Sequence, residues 1–173
     1  MKTWTIDNAH SEIAFKVKHL MISTVRGTFG EFAGSVSATD DSLSDATFEF
    51  SAQVKSVNTQ NAGRDGHLVT ADFFDAEKFP IISFKSTSVT KSGNDFEVTG
   101  DFMLKGVTKT ETFKVAFGGM TTGMDGKKVL VFEITGEINR NDFGLTWNSA
   151  IEAGGVVLGD MVKIEGSIEA KEA

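Results

Sequence analysis

The sequence predicts an all-β domain: an eight-stranded antiparallel barrel carrying one short helical insert. Three observations predict it. Stretch after stretch alternates apolar and polar residues with period two, the signature of strands with one dry and one wet face. Short polar or glycine-containing turns separate these stretches, which favours hairpins over helical crossovers. And 18 glycines stand against a single proline among 173 residues, a composition that lets strongly curved strands bend and approach one another.

Taken in order, Trp4 to Asp7 reads as an opening strand and Asp7-Asn-Ala-His10-Ser11 as a turn. Glu12 to His19 then alternates strictly. Ile13, Phe15, Val17 and His19 share the inner face, with Glu12, Ala14, Lys16 and Lys18 outside. Leu20 to Thr24 links to a long strand, Val25 to Ala38, in which Gly27, Gly30 and Gly34 mark bends or bulges. After the bend its inward set is Phe32, Gly34, Val36 and Ala38. Thr39 to Ser42 is a turn, and Ala46 to Lys55 points Phe48, Phe50, Ala52 and Val54 inward.

The segment Asn58 to Asp75 breaks the pattern. It opens on Asn58, Thr59 and Asn61, which are helix-capping types, and Asp72 is a second cap candidate before Phe73 and Phe74. It is the predicted helical insert, closing one end of the barrel. Pro80 ends it and biases Phe79 toward an extended backbone.

Hairpin units follow. Ile81 to Lys91 carries Phe84 and turns at Ser92-Gly-Asn-Asp95. Phe96, Val98, Gly100, Phe102 and Leu104 form the next inward face, and Lys105-Gly106 is a tight turn. Val107 to Phe117 returns with Phe113, Val115 and Phe117 inward, and Gly118 to Gly126 is expected to be a loop. Lys127 to Asn139 faces Leu130, Phe132, Ile134, Gly136 and Ile138 inward. Arg140 to Leu158 is a long connection, and length marks it as a candidate functional loop. Met161 to Ala170 closes the chain with Val162, Ile164, Gly166 and Ile168 inward. No repeat or linker divides residues 1–173, so one domain is expected.

Composition excludes several function classes. The net charge of −7 repels phosphate backbones and argues against general nucleic-acid binding. The absence of cysteine removes disulfides, thiolate nucleophiles and Cys-ligated zinc. No segment has the roughly 20 apolar residues of a membrane helix, and the first ten residues hold no signal-length apolar run, so a cytoplasmic location is expected. The three histidines, His10, His19 and His67, fall on a turn, a strand and the insert without metal-ligand spacing, and no metal is expected.

The aromatic set is unusual: 15 Phe, 2 Trp and no Tyr. Rings without hydroxyls suit a dry interior or an apolar ligand better than a sugar site. The predicted apolar channel is Phe15, Val17, Phe32, Phe48 and Phe50 from the first half of the chain. Phe84, Phe96, Phe102, Phe113, Phe117, Phe132, Ile134, Trp147 and Ile164 join them from the second. The small inward residues Gly34, Ala52, Gly100, Gly136 and Gly166 hint at empty interior space.

Arg64 and His67, three apart, share one face of a helix. They could clamp an anionic head group at the channel mouth, or tie the insert to the barrel through a carboxylate or carbonyl. His19, at the end of an inward-facing strand, and the Arg140/Asp142 pair on the segment leading to Trp147 complete the candidate head-group set. Arg140 and Asp142 could equally pair with each other.

In chain order, Trp4-x-Ile-Asp-x-x-His-Ser11, Phe15-x-Val-x-His19, Val25-x-Gly-x-Phe29, Ser56-Val-x-Thr59, Arg64-Asp-x-His-Leu68, Asp72-Phe-Phe-Asp75 and Phe79-Pro-x-Ile82 resemble the motifs of the YceI-like, lipocalin-like polyisoprenoid-binding proteins. So do Leu104-Lys-Gly-Val-Thr108, Asn139-Arg-x-Asp-Phe-Gly144 and Gly159-Asp-x-Val162. The resemblance spans nearly the whole chain. It implies a lipocalin-like barrel whose long apolar channel holds an isoprenoid lipid, either a polyprenyl phosphate or an isoprenoid quinone, for transport or storage without catalysis. It further implies a homodimer and, for many members, a periplasmic address. The Gly-x-Trp signature of ordinary lipocalins is not at the first strand, so their ligands do not carry over. Two alternatives remain open at this stage. One is a lipid-modifying enzyme using His67 or His19 as acid–base. The other is a filled barrel acting through a dimer or partner surface.

Overall fold

The computed structural model describes residues 1–148 and 157–173. Its frame is a ring of eight antiparallel strands. β1 (Lys2–Ile6) pairs with β4 (Phe32–Ala38), which pairs with β5 (Thr47–Gln53), and β5 with β7 (Ile81–Ser92). The meander β8 (Asp95–Leu104), β9 (Val107–Thr122), β10 (Lys128–Asn139) and β11 (Leu158–Glu172) completes it. β11 returns to β1 through Trp4↔Glu172, Thr5↔Lys171 and Ile6↔Ala170. Closure leaves the ring no free edge.

Three further strands extend this ring at one end. β2 (Glu12–His19) continues β1 and lies on β11; β3 (Ser23–Phe29) pairs with β2; and the two-residue β6 (Val57–Asn58) pairs with β3. The expected strand from Val25 to Ala38 is therefore two strands, parted at Gly30-Glu31. The reason is that each part serves a different neighbour, β3 following β2 and β4 following β1. Likewise the chain breaks between β5 and β6 with a 3-10 turn at Val54–Ser56. Beyond that break β6 pairs with β3 and β7 with β5. The insert, residues 59–80, runs between β6 and β7 at this mouth end. Val54 N–H donates to the Pro80 carbonyl at 2.9 Å, tying the insert's exit to the strand it left.

Within the insert, only α1 (Ala62–Leu68) is helical. Asn61 caps it, its side chain accepting from Arg64 N–H at 3.0 Å. Asp72 caps nothing: consecutive turns follow α1, and its carboxylate meets His67 instead. The region read as a loop from Gly118 to Gly126 is strand through Thr122, with only a short turn at 123–127. Cross-strand pairing with β10 (Thr122↔Lys128 through Gly119↔Val131) overrides the loop-like glycine and methionine composition.

Opposite the mouth the barrel is solid. Trp4, Ala38, Leu43, Leu130 and Ala170 are fully buried there. The 39–46 connection folds Leu43 over that end, and Asp41 ion-pairs with both Lys2 and Lys128 across it. Ala14, expected outside, is buried at 2% exposure.

A mouth-side cavity and its polar rim

A cavity of about 630 Å³ runs from the mouth down to the layer of Val36, Phe48, Phe132 and Ile168. That is the size of a small-ligand or cofactor site. Its walls are the inner faces of β2, β5, β8, β9, β10 and β11, which follow from strict alternation: every second residue of a strand points inward. Phe15, Val17, Phe48, Phe50, Phe84, Phe102, Phe113, Phe132, Ile134, Trp147 and Ile164 all line it. Three residues expected there do not. Phe32 and Phe96 sit in packed core, Phe96 being 2% exposed, and half-buried Phe117 packs against it with its ring 6.3 Å from that of Phe96. Each is the register partner of a lining residue (Phe32 of Ala52, Phe96 of Val115, Phe117 of Phe132), so packing against neighbouring rings, and not height along the barrel, keeps it off the cavity.

The inward glycines do not leave empty space. A Cβ on Gly136 would stand 2.3 Å from the Phe113 ring, and one on Gly27 would stand 2.3 Å from the Phe15 ring. Gly136 and Gly27 each give their volume to an aromatic ring lying across them, while Gly34 and Gly166 are covered by Ile6 and Ile13 and Gly100 by the Lys85 backbone. Ala52 does line the cavity.

The polar lining gathers mainly at the mouth. Thr59, Asn61, Arg64 and His67 come from the insert; His19 comes from the end of β2, and Arg140 from the 3-10 turn Arg140–Phe143 after β10. Arg64 donates through Nε to Thr59 Oγ1 and through Nη2 to the Thr59 carbonyl, both at 2.7 Å. Thr59 in turn donates its hydroxyl to Asp65 at 2.5 Å. Arg64 forms no ion pair among the described residues, so its charge is held in place and not neutralised by direct contact.

His67 Nε2 lies 2.8 Å from Asp72 Oδ2. Its ring stands edge-on to Phe73 at 5.0 Å and to Trp147 at 5.1 Å, and those two rings are 5.3 Å apart. This three-ring cluster fastens the insert to the segment after β10. The polar partners of Arg64 and His67, Thr59 and Asp72, lie within the insert, so neither residue makes the insert-to-barrel carboxylate or carbonyl contact weighed from the sequence, and both line the cavity. His19 lines it with no hydrogen bond to its ring among the described residues; its carbonyl accepts from Ser23 Oγ at 2.8 Å.

Arg140 is a different kind of residue. It is 4% exposed, and it does not pair with Asp142. Nε donates to the Gly159 carbonyl at 2.8 Å, and Nη1 to those of Leu145 and Trp147 at 2.6 and 2.9 Å. Burial pushes its pKa below the ordinary guanidinium value. The guanidinium works as a strut between residues 145–147 and the start of β11. Asp142 is exposed and outside the cavity lining. It stands near Glu111, whose carboxyl is raised first by partial burial and then by that neighbouring charge. Of the long connection read as a functional loop, 149–156 lie outside the described residues.

Sequence reading missed Phe73, Phe74, Leu68, Leu145 and Leu158, which also line the cavity. Phe73 and Phe74 carried a signal, an adjacent aromatic pair inside an otherwise polar insert. The leucines carried none. Away from the cavity lining, Asp7, His10 and Glu169 bring a ring nitrogen and two carboxylates within 4.8 Å of one another. The Asp7–His10 contact of 2.9 Å already engages two of the three.

The profile of the YceI-like domain family matches residues 4–170. A UPF0312 protein of Staphylococcus aureus strain MSSA476 is 42% identical over 170 residues, spanning 98% of this chain and 97% of that protein. Among solved structures, a Campylobacter jejuni YCEI protein is similar with a TM-score of 0.78 at 31% identity, covering 90% of each chain. Burkholderia cenocepacia BcnA has a TM-score of 0.81 at 21% identity, covering 95% of this chain and 98% of that one. A polyisoprenoid binding domain from Saccharophagus degradans, implicated in plant cell wall breakdown, has a TM-score of 0.68 at 13% identity over 98% of both chains. These last two likenesses concern the fold.

Proposed function

The chain belongs to the YceI-like domain family, and from that premise we propose that it is a non-catalytic carrier of a long isoprenoid lipid, a polyprenyl phosphate or an isoprenoid quinone. One observation carries the reading. The cavity is walled by phenylalanine and aliphatic side chains, while Arg64, His67, Asn61 and His19 collect at its mouth. Such a site fits an amphipathic molecule with its chain inside and its head at the rim. A polyisoprenoid binding domain among the structures of the same fold agrees with this choice of chain.

Magnitudes favour long chains. Each buried CH₂-sized group contributes about 0.8 kcal/mol, so a five-carbon isoprene unit gives roughly 4 kcal/mol gross. Association costs about 4–15 kcal/mol before any net affinity appears. One unit is not enough, and several are.

The test is native mass spectrometry of the purified chain with lipid extraction, followed by titration with prenyl phosphates and quinones. Recovery of empty protein together with no measurable affinity for either would sink the reading. An enzymatic role would need a reacting group beside His67, whose ring contacts are Asp72, Phe73 and Trp147. Unchanged lipid on incubation with either the wild-type chain or His67→Ala is the expected result. The homodimer belongs to the same proposal, and sedimentation should give twice the 18.6 kDa chain mass. A cytoplasmic location completes it, checked by cell fractionation.

A further inference from the structure

We propose that the β2–β3 hairpin tip, Leu20-Met21-Ile22, docks the cavity mouth onto the surface of a neutral phospholipid bilayer. This inference rests on the carrier reading and names the surface from which the ligand is drawn.

The tip is the one run of three consecutive large apolar residues that the described chain leaves in solvent. Leu20, Met21 and Ile22 are 44%, 60% and 87% exposed. The other exposed large apolar residues, Met1, Ile81, Met124 and Met161, are isolated along the chain. Scattered exposed apolar side chains are ordinary, and contiguous ones mark a contact surface.

The local backbone makes the choice of residues stranger. Leu20 and Met21 have φ of 51° and 66°, the left-handed region. Hairpin positions of that kind favour Gly, Asn or Asp. Here unbranched and γ-branched apolar side chains occupy them at an energetic disadvantage. A local rule broken on both conformation and polarity, with no packing gained in return, is the pattern of a functional contact.

Position supplies the partner. His19, directly before the tip, lines the cavity and is the cross-strand neighbour of Leu158, which also lines it. The Leu20 N–H donates to the Val157 carbonyl at 2.7 Å, and Val157 is again a lining residue. The tip is therefore bonded to the rim of an apolar cavity. A ligand too insoluble to travel through water must enter where that rim meets its lipid phase.

Charge selects the bilayer. The chain carries −7, so an anionic surface repels it. Lys18, two residues before the tip, donates to the Thr24 hydroxyl at 3.4 Å and forms no ion pair among the described residues. Attachment is thus by apolar insertion, which depends on buried area, and not by a polybasic patch.

The experiment uses the full chain in three forms: wild type, L20S/M21N/I22S and L20M/M21L/I22L. Flotation with phosphatidylcholine vesicles measures docking. Transfer of a fluorescent prenyl lipid out of those vesicles measures exchange. Loading the same lipid from dilute ethanol reports whether the barrel is intact. The polar variant should lose at least about tenfold in vesicle partition and in transfer rate, since three apolar side chains no longer insert. Its loading from ethanol should match wild type, and the apolar variant should retain both. Adding phosphatidylglycerol should weaken wild-type flotation. Wild type that fails to float on neutral vesicles, or a polar variant that floats equally well, overturns the proposal. So does a wild-type dimer that the polar variant splits without any vesicle binding, because the tip is then a contact between copies. Wild type that floats through the tip yet takes up prenyl lipid from neither source upholds the docking and sinks the carrier reading instead.

Discussion

Replacing Arg140 with Met keeps the stem's volume and removes the guanidinium, so it separates strut from ligand contact. The group makes three short bonds to the carbonyls of Gly159, Leu145 and Trp147. Charged hydrogen bonds contribute about 1.5–3 kcal/mol each in net terms, and the gains do not add. Burying the guanidinium offsets part of that gain, in the same sense that its pKa is pushed down. After substitution, three carbonyls lack a donor, at about 1–3 kcal/mol for each that water cannot reach. Trp147 is only half-buried, so its carbonyl recovers a water partner. The expected loss is about 3–5 kcal/mol, within the roughly 2–6 kcal/mol of two carbonyls left dry. At about 2–4 °C per kcal/mol for a chain of this size, Tm should fall roughly 6–20 °C. Urea and thermal melts of wild type and Arg140→Met check it. A variant losing under about 1 kcal/mol while losing affinity for prenyl phosphate would refute the strut and put Arg140 on the ligand.

Gly136→Ala should destabilise by about 1–3 kcal/mol or drive the Phe113 ring into the cavity, because the new Cβ meets that ring at 2.3 Å; melts and prenyl-lipid titration distinguish the two. Trp4 is fully buried, yet its indole N–H finds no acceptor among the described residues. Trp4→Phe should therefore stay within about 1 kcal/mol of wild type, the lost volume offset by removal of an unsatisfied donor, whereas Trp4→Ala should cost about 3–5 kcal/mol. His10 is raised by its hydrogen bond to Asp7. The small stabilisation it brings is present below His10's ordinary value of 6.5 and is lost as pH rises through the raised one. An NMR titration should place the His10 midpoint above 6.5, and Asp7→Asn should return it. Affinity for prenyl alcohols should climb with each isoprene unit and level off once the chain outgrows the 630 Å³ cavity, as read by competition titration.

The strands were legible because a half-buried strand writes its two faces directly into alternate residues. The β8 run Phe96, Val98, Gly100, Phe102 and Leu104 is inward as expected, and so is the β10 run from Leu130 to Ile138. The breaks at residues 30–31 and 54–56 were not legible, since they follow from which neighbour each half pairs with, a property of the closed sheet. Which inward rings pack on one another was equally hidden, and so Phe32, Phe96 and Phe117 were assigned to a channel they do not line. Arg140 shows the same limit at the site: its cation was visible, and the three carbonyls that occupy it were not, two of them being contributed by Leu145 and Trp147 within an irregular segment. Arg64 and His67 were found because helical spacing puts positions three apart together.

The rings laid across glycines have a consequence for how the bore is gauged. Phe113 over Gly136 and Phe15 over Gly27 each join one wide residue to one with no side chain on a neighbouring strand. Exchanging the members of such a couple, or trading its ring for a leucine and its glycine for an alanine, would alter the tunnel's local width while strand number, stagger and length stay fixed. Under the carrier role proposed above, selectivity for slim or bulky tails would drift two residues at a time, on a scaffold that never has to be rebuilt.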